Sequence, residues 1–249
     1  MNYQYRPVLT NMSSHTFHLI IVTLFMNAST IAIAQKLNET LWNSGINYQR
    51  YHQANQALTP LETSPITTVL MGDSITDGWI DQRPEFFSEN NIIDRGIGGE
   101  TTGQMLLRFR EDVIKLRPKV VAILAGINDI AENTGPIELE RVFGNIVSMV
   151  DLAKANNIQV ILCKLVPANR FPWRPQIIPT QKVKQLNEMI ASYAKSHHLV
   201  LVDYFSPMAD SNSGLKAELG SDGVHPNKKG YALMEPLLLE GIEAALQIN

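Results

Sequence analysis

Three residue types that can cooperate in acyl transfer stand far apart in this sequence. Ser74 lies in Gly72-Asp73-Ser74-Ile75-Thr76, at the end of an apolar run over 67–71. Asp222 and His225 lie near the other end, in Asp222-Gly223-Val224-His225-Pro226. Acyl transfer needs a hydroxyl that gives up its proton to a neighbouring base. Neutral imidazole takes a proton near neutral pH, and a carboxylate on its other ring nitrogen orients it and stabilises the imidazolium. Asp222, on a turn just before His225, can reach that ring. The tetrahedral intermediate needs hydrogen-bond donors aimed at its oxyanion. The backbone N–H groups of Ser74 and Gly99 and the side-chain amide of Asn128 can supply three. Each of these segments alone is ordinary turn chemistry, because Gly, Asp, Asn and Ser all favour turns. The chemical reading therefore depends on the elements that would bring the segments together.

The hydrophobic pattern supplies such elements. Residues 67–71 read as a buried strand, 80–89 as a short helix or loop anchored by Phe86-Phe87, and 91–94 as a second strand. Residues 101–116 read as a helix with Met105, Phe109 and Val113 on one face. The run 119–125 is a third strand, continuously apolar as in a sheet covered on both sides. Pro136 opens a helix with Leu139, Val142, Ile146, Met149 and Val150 inward. A strand at 158–165, a helix at 182–196, a strand at 199–203 and a closing helix at 227–247 complete the chain. Strands alternating with helices imply parallel pairing through right-handed crossovers. The fold class expected is an α/β three-layer α/β/α sandwich of about five parallel strands, in an order that the pattern leaves open. In such a sheet the segments that follow the strands emerge at one edge. That edge would gather 72–74, 95–102, 126–129, the aromatic loop 166–179 and, after a long loop, 222–226.

With these segments aligned, the chain resembles the GDSL esterase/lipase family, also called SGNH hydrolases, whose name lists a Ser, a Gly, an Asn and a His in four blocks. The blocks are Gly72-Asp73-Ser74-Ile75, Gly96-Ile97-Gly98-Gly99-Glu100-Thr101-Thr102, Gly126-Ile127-Asn128-Asp129 and Asp222-Gly223-Val224-His225-Pro226. Ile75 stands where the family name has Leu. The second block most resembles the platelet-activating-factor acetylhydrolase-like branch. The resemblance covers roughly 66–245 and implies a flavodoxin-like sandwich that hydrolyses acyl esters without a metal or other cofactor. It implies Ser74 as nucleophile, His225 as base, Asp222 as its orienter, and Ser74, Gly99 and Asn128 as the oxyanion hole. In the family the glycine just before the acidic residue donates to the oxyanion, which selects Gly99 over Gly98.

Other classes find less support. The chain has 249 residues, 45% hydrophobic and 18% charged, with a formal net charge of -3, and no basic run suits nucleic acid. A single cysteine, Cys163, excludes an internal disulfide framework and any multi-cysteine metal site. Gly96-x-Gly98 begins a dinucleotide fingerprint, but Thr101 stands where its last glycine belongs. Neither Gly-x-Ser-x-Gly nor His-Glu-x-x-His is present. The apolar run 18–34 ends in Ala32-Ile33-Ala34, the small-x-small pattern of a signal-peptidase site, and is too short and broken for a stable membrane span. The organisation expected is a signal peptide over 1–34, cleaved after Ala34, and one hydrolase domain over 35–249. Within it, 35–65 form an N-terminal helical segment packed on the rest. That places the protein outside the cytoplasm, secreted or periplasmic. The partner expected is a small-molecule or glycan acyl ester, with short acyl groups removed from carbohydrate. Trp173 at the rim can stack on a sugar, and Arg170 or Arg174 can meet an anion. A lysophospholipase or phospholipid acetylhydrolase needs the same machinery with a different rim. A glycan-binding module that keeps the fold without catalysis is the reading from another class.

Overall fold

A short helix, α1 (His52–Leu58), precedes β1 (Thr68–Gly72), α2 (Ser74–Gln82), α3 (Pro84–Glu89), β2 (Ile92–Gly96) and α4 (Thr102–Asp112). Next come β3 (Val120–Leu124), α5 (Ile127–Ile130), α6 (Leu139–Lys154), β4 (Gln159–Lys164) and α7 (Thr180–Ser196). The chain ends with β5 (Val200–Asp203), α8 (Phe205–Met208) and α9 (Lys228–Leu246), which contains Pro236. This computed structural model describes Gly45, residues 47–58 and residues 68–248. The chain divides after Ile46, and the architecture is that of the second unit, Asn47–Asn249. The expected signal peptide over 1–34, its cleavage after Ala34, and residues 35–44, 46 and 59–65 of the expected N-terminal segment lie outside the described residues.

All the strand pairs are parallel, and the sheet order is β2-β1-β3-β4-β5. The strands are short; β1 and β3 are buried along their whole length, whereas β2 carries Asp94 and Arg95. Helices cover both faces of the sheet, as a parallel sheet requires. α2 packs with α9, while α6 lies between α4 and α7. The order has a physical consequence. The chain leaves β1 toward β2 on one side and returns to β3 on the other, so a crevice opens past the carboxyl ends of β1 and β3. In register, Gly72 at the end of β1 pairs with Gly96 of β2 and Leu124 of β3. Three of the four sequence blocks therefore leave the sheet at the same level.

Two local features differ from the sequence pattern. Ahead of the helix or loop expected over 80–89, α2 begins at Ser74 itself and runs through Asp77-Gly78 to Gln82. The Asp73 carboxylate caps its first turn, and Ile75, Thr76 and Trp79 are buried on the inner side. Trp79 stacks between Phe86 (5.4 Å) and Tyr231 (5.3 Å), and Tyr231 donates a hydrogen bond to the Ile75 carbonyl at 2.8 Å. Second, Asn128 sits on a short helix, α5, rather than in an open loop, and the next helix begins at Leu139 instead of Pro136. The described part of the N-terminal segment is tied to the end of β2. Tyr51 donates to the Asp94 carboxylate (3.0 Å) and to the Gly96 carbonyl, and Asn55 Oδ1 accepts from Arg95 at 2.7 and 3.0 Å.

Candidate active site

Ser74 is the first residue of α2, immediately after the strand that ends at Gly72. Its backbone N–H is thus one of the four that a helix start leaves without an intrahelical partner. The capping residue is Asp73, whose Oδ1 accepts from the Ile75 N–H at 2.9 Å. Asp73 is fully buried, and its Oδ2 has no hydrogen-bond partner among the described residues. Burial pushes its carboxyl up from the ordinary 3.8 to about 7; the Ile75 amide and His225 oppose the rise, while Asp129 and Glu100 add to it. A carboxyl raised in this way favours the fold while it is protonated. That contribution is complete below the ordinary 3.8 and is lost as pH rises to about 7. Asp73→Asn retains the capping oxygen, so its urea midpoint should change less than that of the unaltered chain between those two pH values. Parallel courses would mean that Asp73 ionises in the fold without cost.

The long loop after β5 brings the other end of the chain back to this point. His225 Nε2 lies 2.9 Å from Ser74 Oγ, and His225 Nδ1 lies 2.6 Å from Asp222 Oδ2. Asp222 Oδ1 accepts the backbone N–H groups of Val224 (2.9 Å) and His225 (2.8 Å). Burial raises the Asp222 carboxyl, but the His225 amide, the His225 ring and the Val224 amide outweigh it and hold the group below the ordinary 3.8. An ionised carboxylate only accepts hydrogen bonds, so Nδ1 carries the ring proton and Nε2 is left to accept from Ser74 Oγ–H. The side chains of His225 and Asp222 are each 35% exposed, so the array reaches solvent.

Gly99 and Asn128 lie just past the ends of β2 and β3, the neighbours of the strand that leads to Ser74. Gly99 has φ 80°, a left-handed conformation that glycine adopts without strain. The Gly98 N–H donates to Asp77 Oδ2 at 3.2 Å, whereas the Gly99 N–H has no acceptor among the described residues. The Gly98 N–H is thus engaged, and the Gly99 N–H is not. Asn128 is buried; its Nδ2 donates to the Glu100 carbonyl at 3.0 Å and its Oδ1 accepts from Asn133 Nδ2 at 3.0 Å. One of the two Nδ2–H donors remains for a ligand. Asp129 holds the same region together by accepting from the Thr102 amide (2.8 Å) and hydroxyl (2.7 Å). Burial raises its carboxyl, against those two bonds.

At the rim, the Trp173 ring lies 5.9 Å from that of His225 and rests on the buried Phe171 ring at 5.1 Å. Arg170 is exposed and Arg174 half-buried on the same loop. The other histidines among the described residues lie elsewhere: His52 is exposed on α1, and His197 and His198 are exposed at the end of α7. Among the described residues, no group of three His, Cys, Asp or Glu side chains is placed to hold a metal ion, and no helix is long and apolar enough to cross a membrane.

One positioning residue was not read from the sequence. Arg108 is fully buried on α4, with Nε 2.5 Å from Glu100 Oε2 and Nη1 2.8 Å from Asp112 Oδ2. Its Nη2 donates to the carbonyls of Gly72 (3.1 Å) and Arg95 (2.9 Å). One guanidinium thus ties the ends of β1 and β2 to the loop that carries Gly99. The signal was the spacing: Arg108 and Asp112 fall at i+3 and i+7 from Met105, on the buried stripe.

The sequence profile of the GDSL-like lipase/acylhydrolase family matches residues 70–233, a span that contains Ser74, Gly99, Asn128, Asp222 and His225. The chain belongs to this family. Its structure is similar to that of a GDSL-like lipase from Bacteroides thetaiotaomicron, with a TM-score of 0.78 and 48% identity over 80% of this chain and 98% of that one. It is 30% identical over 157 residues to the Homo sapiens platelet-activating factor acetylhydrolase IB subunit alpha2, covering 61% of this chain and 65% of the relative. It is 34% identical over 80 residues to the Bacillus subtilis lipoprotein YqeF, covering 31% of this chain and 33% of the relative. The chain thus spans between 33% and 65% of the length of these two curated relatives. Ester hydrolysis is the reaction class of the GDSL-like acylhydrolases.

Proposed function

We propose that this GDSL-like acylhydrolase is a serine esterase that removes short acyl groups, acetyl above all, from a carbohydrate alcohol. The observation that carries the reading is the unbroken relay from Ser74 Oγ through His225 to Asp222, with distances of 2.9 and 2.6 Å. Ser74 Oγ attacks the ester carbonyl as its proton passes to His225 Nε2. The oxyanion is received by the N–H groups of Ser74 and Gly99 and by Asn128 Nδ2. His225 then protonates the departing alcohol, and the acyl-serine is released by a water that gives its proton to the same nitrogen. Asp222 remains ionised throughout and holds Nδ1–H.

The carbohydrate reading rests on exposure and on Trp173. A relay that reaches solvent admits a bulky alcohol, and an indole resting on a buried phenylalanine beside the base is a platform for a sugar face. Initial rates on p-nitrophenyl acetate, butyrate and decanoate test the acyl preference. Dominant acetate supports the short-acyl reading. Dominant decanoate favours the second reading, a lysophospholipase or phospholipid acetylhydrolase, to which the 30% identity with the acetylhydrolase subunit lends weight. Failure to react with a fluorophosphonate probe, combined with tight glycan binding, would instead make the chain a binding module. Secretion or periplasmic export with cleavage after Ala34 belongs to the same proposal, together with a single hydrolase domain over 35–249. N-terminal sequencing of the exported protein checks the cleavage point.

Asn128→Ala should lower kcat on p-nitrophenyl acetate by about 10²- to 10³-fold. The effect should fall on kcat more than on KM, because the donor meets a charge that exists only in the transition state. An equal rise in KM with kcat unchanged would place Asn128 in ground-state binding instead.

A further inference from the structure

The loop 166–179 is seated on the loop that carries Asp222 and His225, and glycines make the space. A Cβ built at Gly214 would stand 2.4 Å from Asn169 Nδ2, and one at Gly223 would stand 3.0 Å from Arg170 Nε and 3.6 Å from its Nη2. Gly223 also has φ 86°, so the turn between Asp222 and His225 both requires glycine and leaves room for a guanidinium. Arg170, an exposed residue, therefore lies directly over the turn that presents His225. Among the described residues neither Arg170 nor Arg174 has a carboxylate within ion-pair distance. Asp222, next to Gly223 in the chain, is already engaged by the His225 ring and two backbone N–H groups.

The reaction fixes which side of the site this is. The carbonyl oxygen of the ester turns toward Ser74, Gly99 and Asn128, and the departing alcohol must come within reach of His225 Nε2. Trp173 beside the His225 ring and Arg170 over Gly223 therefore border the alcohol side, not the acyl side. We propose that the alcohol released by this esterase carries an anionic group that Arg170 receives while Trp173 supports the adjoining ring. The inference rests on the esterase reading above and adds the class of its alcohol, an acidic sugar. The guanidinium fork suits a carboxylate or a phosphate through two parallel hydrogen bonds.

Matched pairs of acetyl esters test this: an O-acetylated methyl glucuronoside against the corresponding methyl glucoside, and 1-acetylglycerol 3-phosphate against 1-acetylglycerol. The anionic member should have the higher kcat/KM by about tenfold or more, and high salt should narrow the gap. Arg170→Gln should remove the preference, and Arg170→Lys should retain part of it. A preference confined to the phosphate pair keeps the anion site and transfers it from an acidic sugar to a phospho-alcohol such as a lipid headgroup. No preference in either pair, or one that survives Arg170→Gln, overturns the proposal. An equal loss on both members of each pair also overturns it, since Arg170 would then only brace the turn. Ready hydrolysis of the neutral esters in those cases leaves the esterase reading standing; no turnover of any of the four removes both.

Discussion

Ser74→Ala should lower kcat/KM on p-nitrophenyl acetate by about 10⁶-fold and abolish labelling by a fluorophosphonate, with the fold intact. The size follows from the relay. Without the hydroxyl nothing attacks the carbonyl, and the donors at Ser74 N, Gly99 N and Asn128 Nδ2 retain only the ability to polarise a bound ester. The small structural cost follows from the surroundings. Ser74 Oγ makes one hydrogen bond among the described residues, to His225 Nε2. Alanine is the best helix former, and the cap of α2 belongs to Asp73, not to Ser74. The variant should therefore lose about 1 kcal/mol of stability at most. Thermal unfolding beside the rate measurement separates the two effects. Retained turnover with an unchanged melting curve would end the assignment of Ser74 as nucleophile.

The same geometry shows what a sequence can carry. The strands were legible because a sheet covered on both faces writes its strands as continuous apolar runs, as in Val120–Leu124. Three of the four blocks were legible because each follows a strand, and parallel strands deliver their ends to one edge; the fourth, 222–226, was legible from its Asp and His alone. The order β2-β1-β3-β4-β5 was not legible, since nothing local in a strand encodes its neighbour. The start of α2 at Ser74 was missed because Asp73 reads as turn chemistry. Only the 2.9 Å bond from the Ile75 N–H to its carboxylate reveals a helix cap. Arg108 was missed because a lone arginine on a helix usually faces water. Its partners Gly72, Arg95 and Glu100 come from other elements, and burial is what turns it into a clamp. The approach of Trp173 to His225 depends on how two irregular loops meet, and no periodicity reports on that.

Asp222→Asn should lower kcat/KM by about 10⁴-fold, and the reason lies in how both carboxylate oxygens are used. Oδ1 accepts two backbone N–H groups and Oδ2 accepts the Nδ1–H of His225. An asparagine has one oxygen for these three donors. If that oxygen stays with the Val224 and His225 amides, the turn survives and an NH₂ faces Nδ1. The ring must then accept at Nδ1 and carry its proton on Nε2, where it can no longer take the proton of Ser74. If the amide flips, its NH₂ meets two backbone N–H groups and the turn itself is strained. The first arrangement costs less, so the variant should fold and be nearly inactive. The pH dependence of stability checks the electrostatic half of the argument. Because the folded Asp222 carboxyl lies below its ordinary 3.8, its contribution is present above that value and is lost as pH falls through the lowered one. Asp222→Asn removes the contribution at every pH, so acid unfolding of the variant should begin from a lower plateau and lack that part of the acid limb. Activity within tenfold of the unaltered enzyme would show that some other group orients His225, and the relay as drawn would be wrong at its third member while Ser74 and His225 kept their places.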